Sequence, residues 1–447
     1  MSEVLTENEL RQLLLSSTTE ELEQLFEETH PADILDVLRE KDINRLELMR
    51  KIPNWMLANV FEEMEEDEQG EFLNLFPELD QYKIINEMSS DEIADLLSNL
   101  EPDRVNKFLI NIDKEDAEEV KELLSYEEDT AGGLMATEFV AIKEAMTIKE
   151  TLKYLQTAGI EAETAYYLYV LDNNDILKGI VSLRELVIST FETKIEEIMH
   201  ENVRSLTVDM DQEEVAAIFE KYGFQAMPVV GENGEMLGLI TVDDIIEVVR
   251  EEATEDMLRL AGVNEGEVID GSTKDSVKSR LPWLLINLVT AILAGATVGL
   301  FSDTIDKVVI LAAFNPIIAG MGGNAGTQGL TLIVRGIALG ELTKENAKRV
   351  CLKEIKVGVI NGLAIGLVTA MLGIVWANKP IFGLVVGLAM LGNMCVAAIV
   401  GYLVPVILKK LKADPALSSA VFVTTFTDVC GFFFFLGLAT IFIQYLI

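Results

Sequence analysis

The stretch TTFTDVCGFFFFLGLATIF, residues 424–442, sets one aspartate, Asp428, in a run that is otherwise lipid-soluble. From Ala416 to Ile447 there are 32 residues and Asp428 is the only charged one, so a helix here is long enough to cross a bilayer. A carboxylate near the middle of such a helix costs about 2.5–3.5 kcal/mol on insertion scales, and so needs a partner helix or a water-filled path. A protonated or helix-paired aspartate that ties a bundle together is one reading; an ion path is the other. The rest of the chain bears on the choice.

Uncharged runs at 282–302, 308–334, 357–378 and 381–408 join 416–447 to give five predicted spans. The charge is divided unevenly. Of 35 Lys and Arg and 74 Asp and Glu, residues 281–447 hold 11 basic and 7 acidic, net +4, which leaves 24 basic and 67 acidic, net −43, in residues 1–280. So acidic a first part argues against nucleic acid, whose phosphates it repels, and suits cations. Basic residues cluster before the first span, in the loop that follows the second and in the loop that follows the fourth. The positive-inside rule then places the N-terminus and those loops in the cytoplasm and the C-terminus outside. The start MSEVLTENELRQ has neither the basic region nor the apolar run of a signal peptide. Cys351, Cys395 and Cys430 lack the spacing of a disulfide framework or zinc site and are expected to be packing residues.

Within the second span, Pro316, four glycines from Gly320 to Gly326, Asn324 and Gln328 interrupt the apolar run. Proline removes a backbone donor, and glycines let a chain unwind towards a cavity or press against a neighbouring helix. Close packing alone does not account for Asn324 and Gln328, which favours a pore or binding lining. Oxygen donors on this span and around Asp428, with Thr424, Thr425 and Thr427, suit a hard cation. Neither span offers histidine for a softer metal.

In the acidic part, SSDEIADLLSNL, EPDRVNKFLINI and DKEDAEEVKELL, residues 89–124, align as three twelve-residue units. That period predicts an all-α superhelical domain over 1–130, each short helix burying its apolar face on the next. A longer repeat follows: residues 134–155 align with 198–219, and GIVSLREL, 179–186, aligns with GLITVDDI, 238–245. Each copy reads strand, helix, strand, turn, strand, helix. This order, with Ser182 or Thr241 three residues before Glu185 or Asp244, resembles a tandem pair of CBS domains, over 131–197 and 198–242. The resemblance implies an adenine nucleotide such as ATP, held through Thr241 and Asp244 in the second copy.

Residues 243–270 then read as a long acidic connecting helix, on which Glu247, Glu251 and Glu255 stack at four-residue steps, as do Glu252 and Asp256. Like charges at that spacing oppose a helix by about 0.2–0.5 kcal/mol per pair, which a bound divalent ion would relieve.

An acidic helical domain, a CBS pair, an acidic connecting helix and a five-helix membrane domain over 281–447, with PIIAGMGGNAGTQ in the second span and TTFTDVCG in the last, resemble the MgtE family of magnesium channels along essentially the whole chain. The resemblance implies a homodimer in the plasma membrane, with the pore on the two-fold axis and the connecting helices closing its cytoplasmic side when Mg2+ is plentiful. Asp428 matches the pore carboxylate; Asn324, Thr424, Pro316 and Gly323 would shape its site. Regulatory Mg2+ would be held by Asp91, Asp95 and Gly132, by Asp244, Glu247, Glu251, Glu255 and Asp256, and by Asp414. The alternatives are a transporter of Co2+ or Mn2+ and a CBS adenylate sensor with a membrane anchor. An intramembrane metalloprotease lacks its chemistry, because His30 and His200 lie outside the spans and no His-Glu-x-x-His occurs.

Overall fold

The computed structural model describes all residues except 1–6, 17–21, 23–24, 27, 41–42, 65, 99, 159–165, 265–266, 268, 270 and 417–418. The chain divides into two compact units, Met1–Val248 and Val249–Ile447.

The first unit opens with short helices: α1 (Glu7–Ser16), α2 (Pro31–Arg39), α3 (Arg45–Met49), α4 (Asn54–Glu62), α5 (Glu66–Leu73), α6 (Glu78–Ile85), α7 (Ser90–Ser98), α8 (Pro102–Asn111) and α9 (Lys114–Leu123). The last three begin twelve residues apart, which is the repeat in the sequence. Proline at the first helical position starts α2 and α8, where its missing N–H goes unmissed. In the first α/β copy, β1 (Ala141–Lys143), α10 (Ile148–Ala158), β2 (Tyr167–Leu171), β3 (Leu177–Ser182) and α11 (Leu183–Ile188) follow the expected order. The second copy repeats it with β4 (Leu206–Thr207), α12 (Gln212–Tyr222), β5 (Ala226–Val230), β6 (Met236–Thr241) and α13 (Val242–Leu260). In each three-stranded sheet the first pair is parallel and the second antiparallel, with an irregularity after Val170 and after Val229, matching positions of the repeat. One core runs from the helical array into the second copy, so Leu97, Phe108, Val215, Phe219 and Ile245 belong to a single cluster. The first copy keeps its own core around Ile142, Leu168 and Val181.

In the second unit, after the last part of α13, come α14 (Thr273–Gly299), the short α15 (Ser302–Lys307), α16 (Ile310–Ala338), α17 (Ala347–Ala377), α18 (Pro380–Lys410), α19 (Ser419–Ile441) and the short α20 (Ile443–Leu446). Among the described residues, α14, α17, α18 and α19 are long and apolar enough to cross a membrane. The 29 residues of α16 span roughly 44 Å, also sufficient, although polar residues dilute its hydropathy. Several helices extend past the apolar runs: α14 begins at Thr273 rather than 282, and α17 at Ala347 rather than 357. The connecting helix expected over 243–270 is shorter: α13 stops at Leu260, where Gly262 takes the left-handed conformation at φ +72°.

Unwinding of the second span does not occur. Helix α16 continues through Pro316 and all four glycines. Gly322, Gly323 and Gly326 serve close approach instead, and the same device joins α17 to α18, where a Cβ at Gly366 would sit 2.9 Å from the Gly387 carbonyl and one at Gly387 equally close to that of Gly366. Backbone cannot retreat as a flexible side chain can. Gly387→Val should therefore cost about 1–3 kcal/mol by overpacking, read as a lower melting temperature of the detergent-solubilised chain. Gly70→Ala, in α5 with nothing within 4 Å of the added methyl, should raise stability by up to about 1 kcal/mol in the same assay.

Candidate functional site

Around Asp428 the geometry is set by glycines of α16. A Cβ at Gly323 would come 3.2 Å from the Thr424 methyl, and one at Gly326 would come 2.5 Å from a Val423 methyl, so α16 lies directly on the turn of α19 that precedes Asp428. The threonine hydroxyls there are turned inward along their own helix: Thr424 donates to the Ala420 carbonyl at 2.7 Å, Thr425 to Val421 at 2.6 Å and Thr427 to Thr424 at 3.0 Å. Asp428 itself is half-buried, and no described residue gives it a hydrogen bond or ion pair. On α16, Pro316, Gly320, Asn324, Gln328 and Thr331 recur every three or four residues and are exposed, forming a polar face along an otherwise apolar helix. The fold thus brings Gly323 and Thr424 into contact next to Asp428, and places Pro316 and Asn324 on that face.

One residue at this crossing escapes the sequence reading. Asn393 of α18 is fully buried and donates from Nδ2 to the Ile318 carbonyl at 2.8 Å. The only sign of it is a neutral amide in the apolar run 381–408.

In the first unit, Asp91 and Asp95 on α7 share a neighbourhood with Glu62, Glu92, Glu138 and Asp244. Asp91 Oδ1 is buried without a partner. Burial first, then the charges of Glu138 and Asp244, push the Asp91 carboxyl up to about 6, and burial followed by the charges of Asp91, Asp95 and Glu62 raises Glu92 well above its ordinary value. Glu62, Glu92 and Glu138 are additions to the sequence-derived set. Glu138 accepts from the Ser90 N–H at 2.9 Å. Gly132 donates its N–H to the Val208 carbonyl at 2.9 Å, and a side chain there would strike the Tyr126 ring. Glu247 is exposed on α13.

A second cluster forms in the other unit. Arg259 pairs with Glu255 and, at 2.6 Å, with Asp414, while burial, Asp414 and Glu252 raise the Asp256 carboxyl to about 6. Arg259 is the resident cation of this group. Glu251 is exposed. Among the described residues no three Asp, Glu, His or Cys side chains form a ready cage for a metal. Mg2+ does not require one, since it keeps several waters and is held through one or two carboxylates, and the unpartnered Asp91 oxygen among other acids fits such binding.

The pair expected to meet a nucleotide lies at the start of α13, where the Thr241 N–H and hydroxyl both donate to Asp244, at 3.0 and 2.7 Å. A cleft of about 430 Å³ lies beside the first copy, lined by Tyr166, Tyr167, Ser182, Arg184 and Gln225 among others.

Comparison with known proteins agrees with this architecture. Residues 315–438 match the MgtE divalent cation transporter family, 29–129 the MgtE intracellular N domain, and 131–189 and 195–251 the CBS domain. The magnesium transporter MgtE of Thermus thermophilus is 35% identical over 442 residues, covering 97% of this chain and 98% of that protein. That of Bacillus subtilis is 31% identical over 433 residues, covering 97% and 96%. A crystal structure of the cytosolic domain of the Mg2+ channel MgtE in complex with ATP superposes with a TM-score of 0.51 at 37% identity, covering 54% of this chain and all of that one. A soluble part of a magnesium transporter superposes with 0.53 at 34%, covering 56% and all of that chain. A helical acidic domain, a CBS pair and a bundle of long apolar helices in this order make the chain a multi-pass membrane protein with an intracellular N domain, a member of the MgtE family of divalent cation transporters and not an enzyme.

Proposed function

We propose that this protein admits Mg2+ to the cell through a path lined by Asp428 and the polar face of α16, and that intracellular Mg2+ closes it by binding the acidic clusters. The observation that carries this reading is Asp428, a carboxylate within a lipid-soluble helix that no described residue pairs. Neither it nor the exposed Asn324 and Gln328 is suited to hydrocarbon, so a second copy in the plasma membrane, its C-terminus outside, covers this face and encloses water between the two. Two Asp428 carboxylates then face a hydrated ion, and Mg2+, which dehydrates reluctantly, is held through its waters. The relatives named as magnesium transporters support the choice of ion.

Closure follows from charge. Without Mg2+, carboxylates such as Asp91, Glu92 and Asp244 repel one another, and bound Mg2+ draws them together. A ligand shifts such an equilibrium only through tighter binding to one state, and several weak sites make the response steep. Leu260, at the end of α13, packs with Leu330, Val334 and Val423, next to Thr424, so a shift of α13 is felt at the turn before Asp428. An adenine nucleotide fits the cleft by Ser182 and Arg184, a reading supported by the relative crystallised with ATP.

Proteoliposomes containing the full chain test transport. Mg2+ influx should fall as Mg2+ on the cytoplasmic face rises, and Asp428→Ala should lower influx, or its preference over Co2+ and Mn2+, at least tenfold, about 1.4 kcal/mol. Flux of Co2+ or Mn2+ without Mg2+ would assign the path to another ion. Asp256→Asn should leave conduction intact while raising the Mg2+ needed for closure several-fold; an unchanged closing concentration removes Asp256 from the sensor.

The raised carboxyls set a pH dependence. At Asp91 and Asp256 the compact state holds a proton up to about pH 6 that the exposed carboxyl releases near 3.8. Compaction therefore takes up protons within that window, and above it bears the full cost of buried charge. In Mg2+-free buffer the melting temperature should rise as pH falls from 7.5 to 5.5. Stabilisation by added Mg2+ should be larger at pH 7.5, where no proton competes. Asp91→Asn should raise the Mg2+-free melting temperature and flatten the profile; a steeper profile in that variant would contradict the assignment.

A further inference from the structure

We propose that Asn393 is a positioning residue of the ion path, fixing the spacing and rotation of α16 against α19 from behind. The inference rests on the transport reading above. Asn393 is the fully buried polar residue of α18, and it is wedged between two glycines on different helices. A methyl group at Gly322 of α16 would land on its amide, and one at Gly431 of α19 would come 2.7 Å from Nδ2. Its Nδ2 donates to the Ile318 carbonyl, the backbone acceptor one turn before Gly322, while its Oδ1 is buried and accepts nothing from the described residues.

Each contact lies close in sequence to a residue of the path. Gly322 precedes Gly323 and Asn324, and Gly431 is three residues, about one turn, beyond Asp428. One amide thus holds the turn of α16 that carries Asn324 and touches the turn of α19 that follows Asp428. An apolar side chain would fill the same space without leaving a buried acceptor unmatched, so bundle stability alone does not call for asparagine here. What asparagine adds is direction: a hydrogen bond to one particular carbonyl selects one rotation of α16, whereas apolar contact tolerates sliding. Asn393 touches no ion in this scheme; it acts through the two helix backbones.

Asn393→Leu keeps the branched shape and removes the hydrogen bond. In proteoliposomes of the full chain, with wild type alongside, this variant should melt no lower than wild type in detergent, yet show Mg2+ influx reduced at least threefold and a Co2+ to Mg2+ influx ratio shifted at least threefold. A purely structural role would not move that ratio. Gly322→Ala should reduce influx through its clash with the amide, and the double variant Gly322→Ala with Asn393→Ala should recover part of the loss. Influx and ion ratio within twofold of wild type in Asn393→Leu would overturn the inference alone, as would a loss of influx that merely tracks loss of folded protein at an unchanged ratio. Absence of divalent flux in the wild type would overturn the transport reading and the inference with it.

Discussion

A carboxylate must be hydrated or paired, and Asp428 has no partner among the described residues, in the middle of a helix whose other residues favour lipid. The arrangement of the membrane unit answers to that requirement. Glycines at 323 and 326 bring α16 against α19 just before the aspartate, and the polar residues of α16 form a continuous stripe rather than scattering around the helix. Elsewhere in the bundle, close approach removes polar demand: the Gly366–Gly387 contact is backbone on backbone, and the threonine hydroxyls of α19 bond to their own helix. The exposed polarity of α16 is thus concentrated on one face, where a second copy and enclosed water satisfy it in the proposed assembly, while Asn393 keeps an unmatched oxygen behind it.

The same electrostatics works in the opposite sense outside the membrane. There the difficulty is carboxylates brought close to one another, and the raised carboxyls of Asp91 and Asp256 register it. The two clusters differ in how they meet it. Around Asp414 and Glu255 the chain supplies a cation of its own, Arg259, whereas Asp91 keeps a buried oxygen with no partner. In the proposed mechanism the first cluster is partly neutralised before any ion arrives, and the Asp91 group depends more heavily on one.

Features that repeat or alternate along the chain were legible in the sequence. The twelve-residue period gave the starts of α7, α8 and α9, and the longer repeat gave both sheets, because each depends on local patterning of apolar residues. Asp428 stood out because a charge in an apolar run has no ordinary explanation. The behaviour of Gly322, Gly323 and Gly326 was not legible: glycine permits both unwinding and close packing, and only the presence of Asn393, Thr424 and Val423 opposite them decides for packing. Thr241 and Asp244 show a related ambiguity, since the spacing that suits a nucleotide contact also suits a helix cap. Arg259 and Asn393 gain their meaning from partners 155 and 75 residues away, which periodicity cannot show.

The unbroken course of α16 bears on how an ion is chosen. A helix that unwinds at depth offers bare carbonyls that can replace an ion's water, whereas one that stays intact keeps its carbonyls in intrahelical bonds. Here Pro316, which has no N–H to give to the carbonyl of Ala312, is the one breach in that ladder imposed by sequence, and the helix continues past it. Few backbone oxygens are then free to strip an ion. The side chains beside the proposed path, Asn324, Gln328 and Asp428, are better suited to meeting an ion's waters than to displacing them. Such a lining favours an ion of high charge density that retains its shell, and its discrimination then depends on the width and charge of the passage around a hydrated ion. Width is set by how α16 and α19 are held apart, which gives the packing behind the path, Gly322 and Gly431 against Asn393, as much bearing on selectivity as the residues that face it.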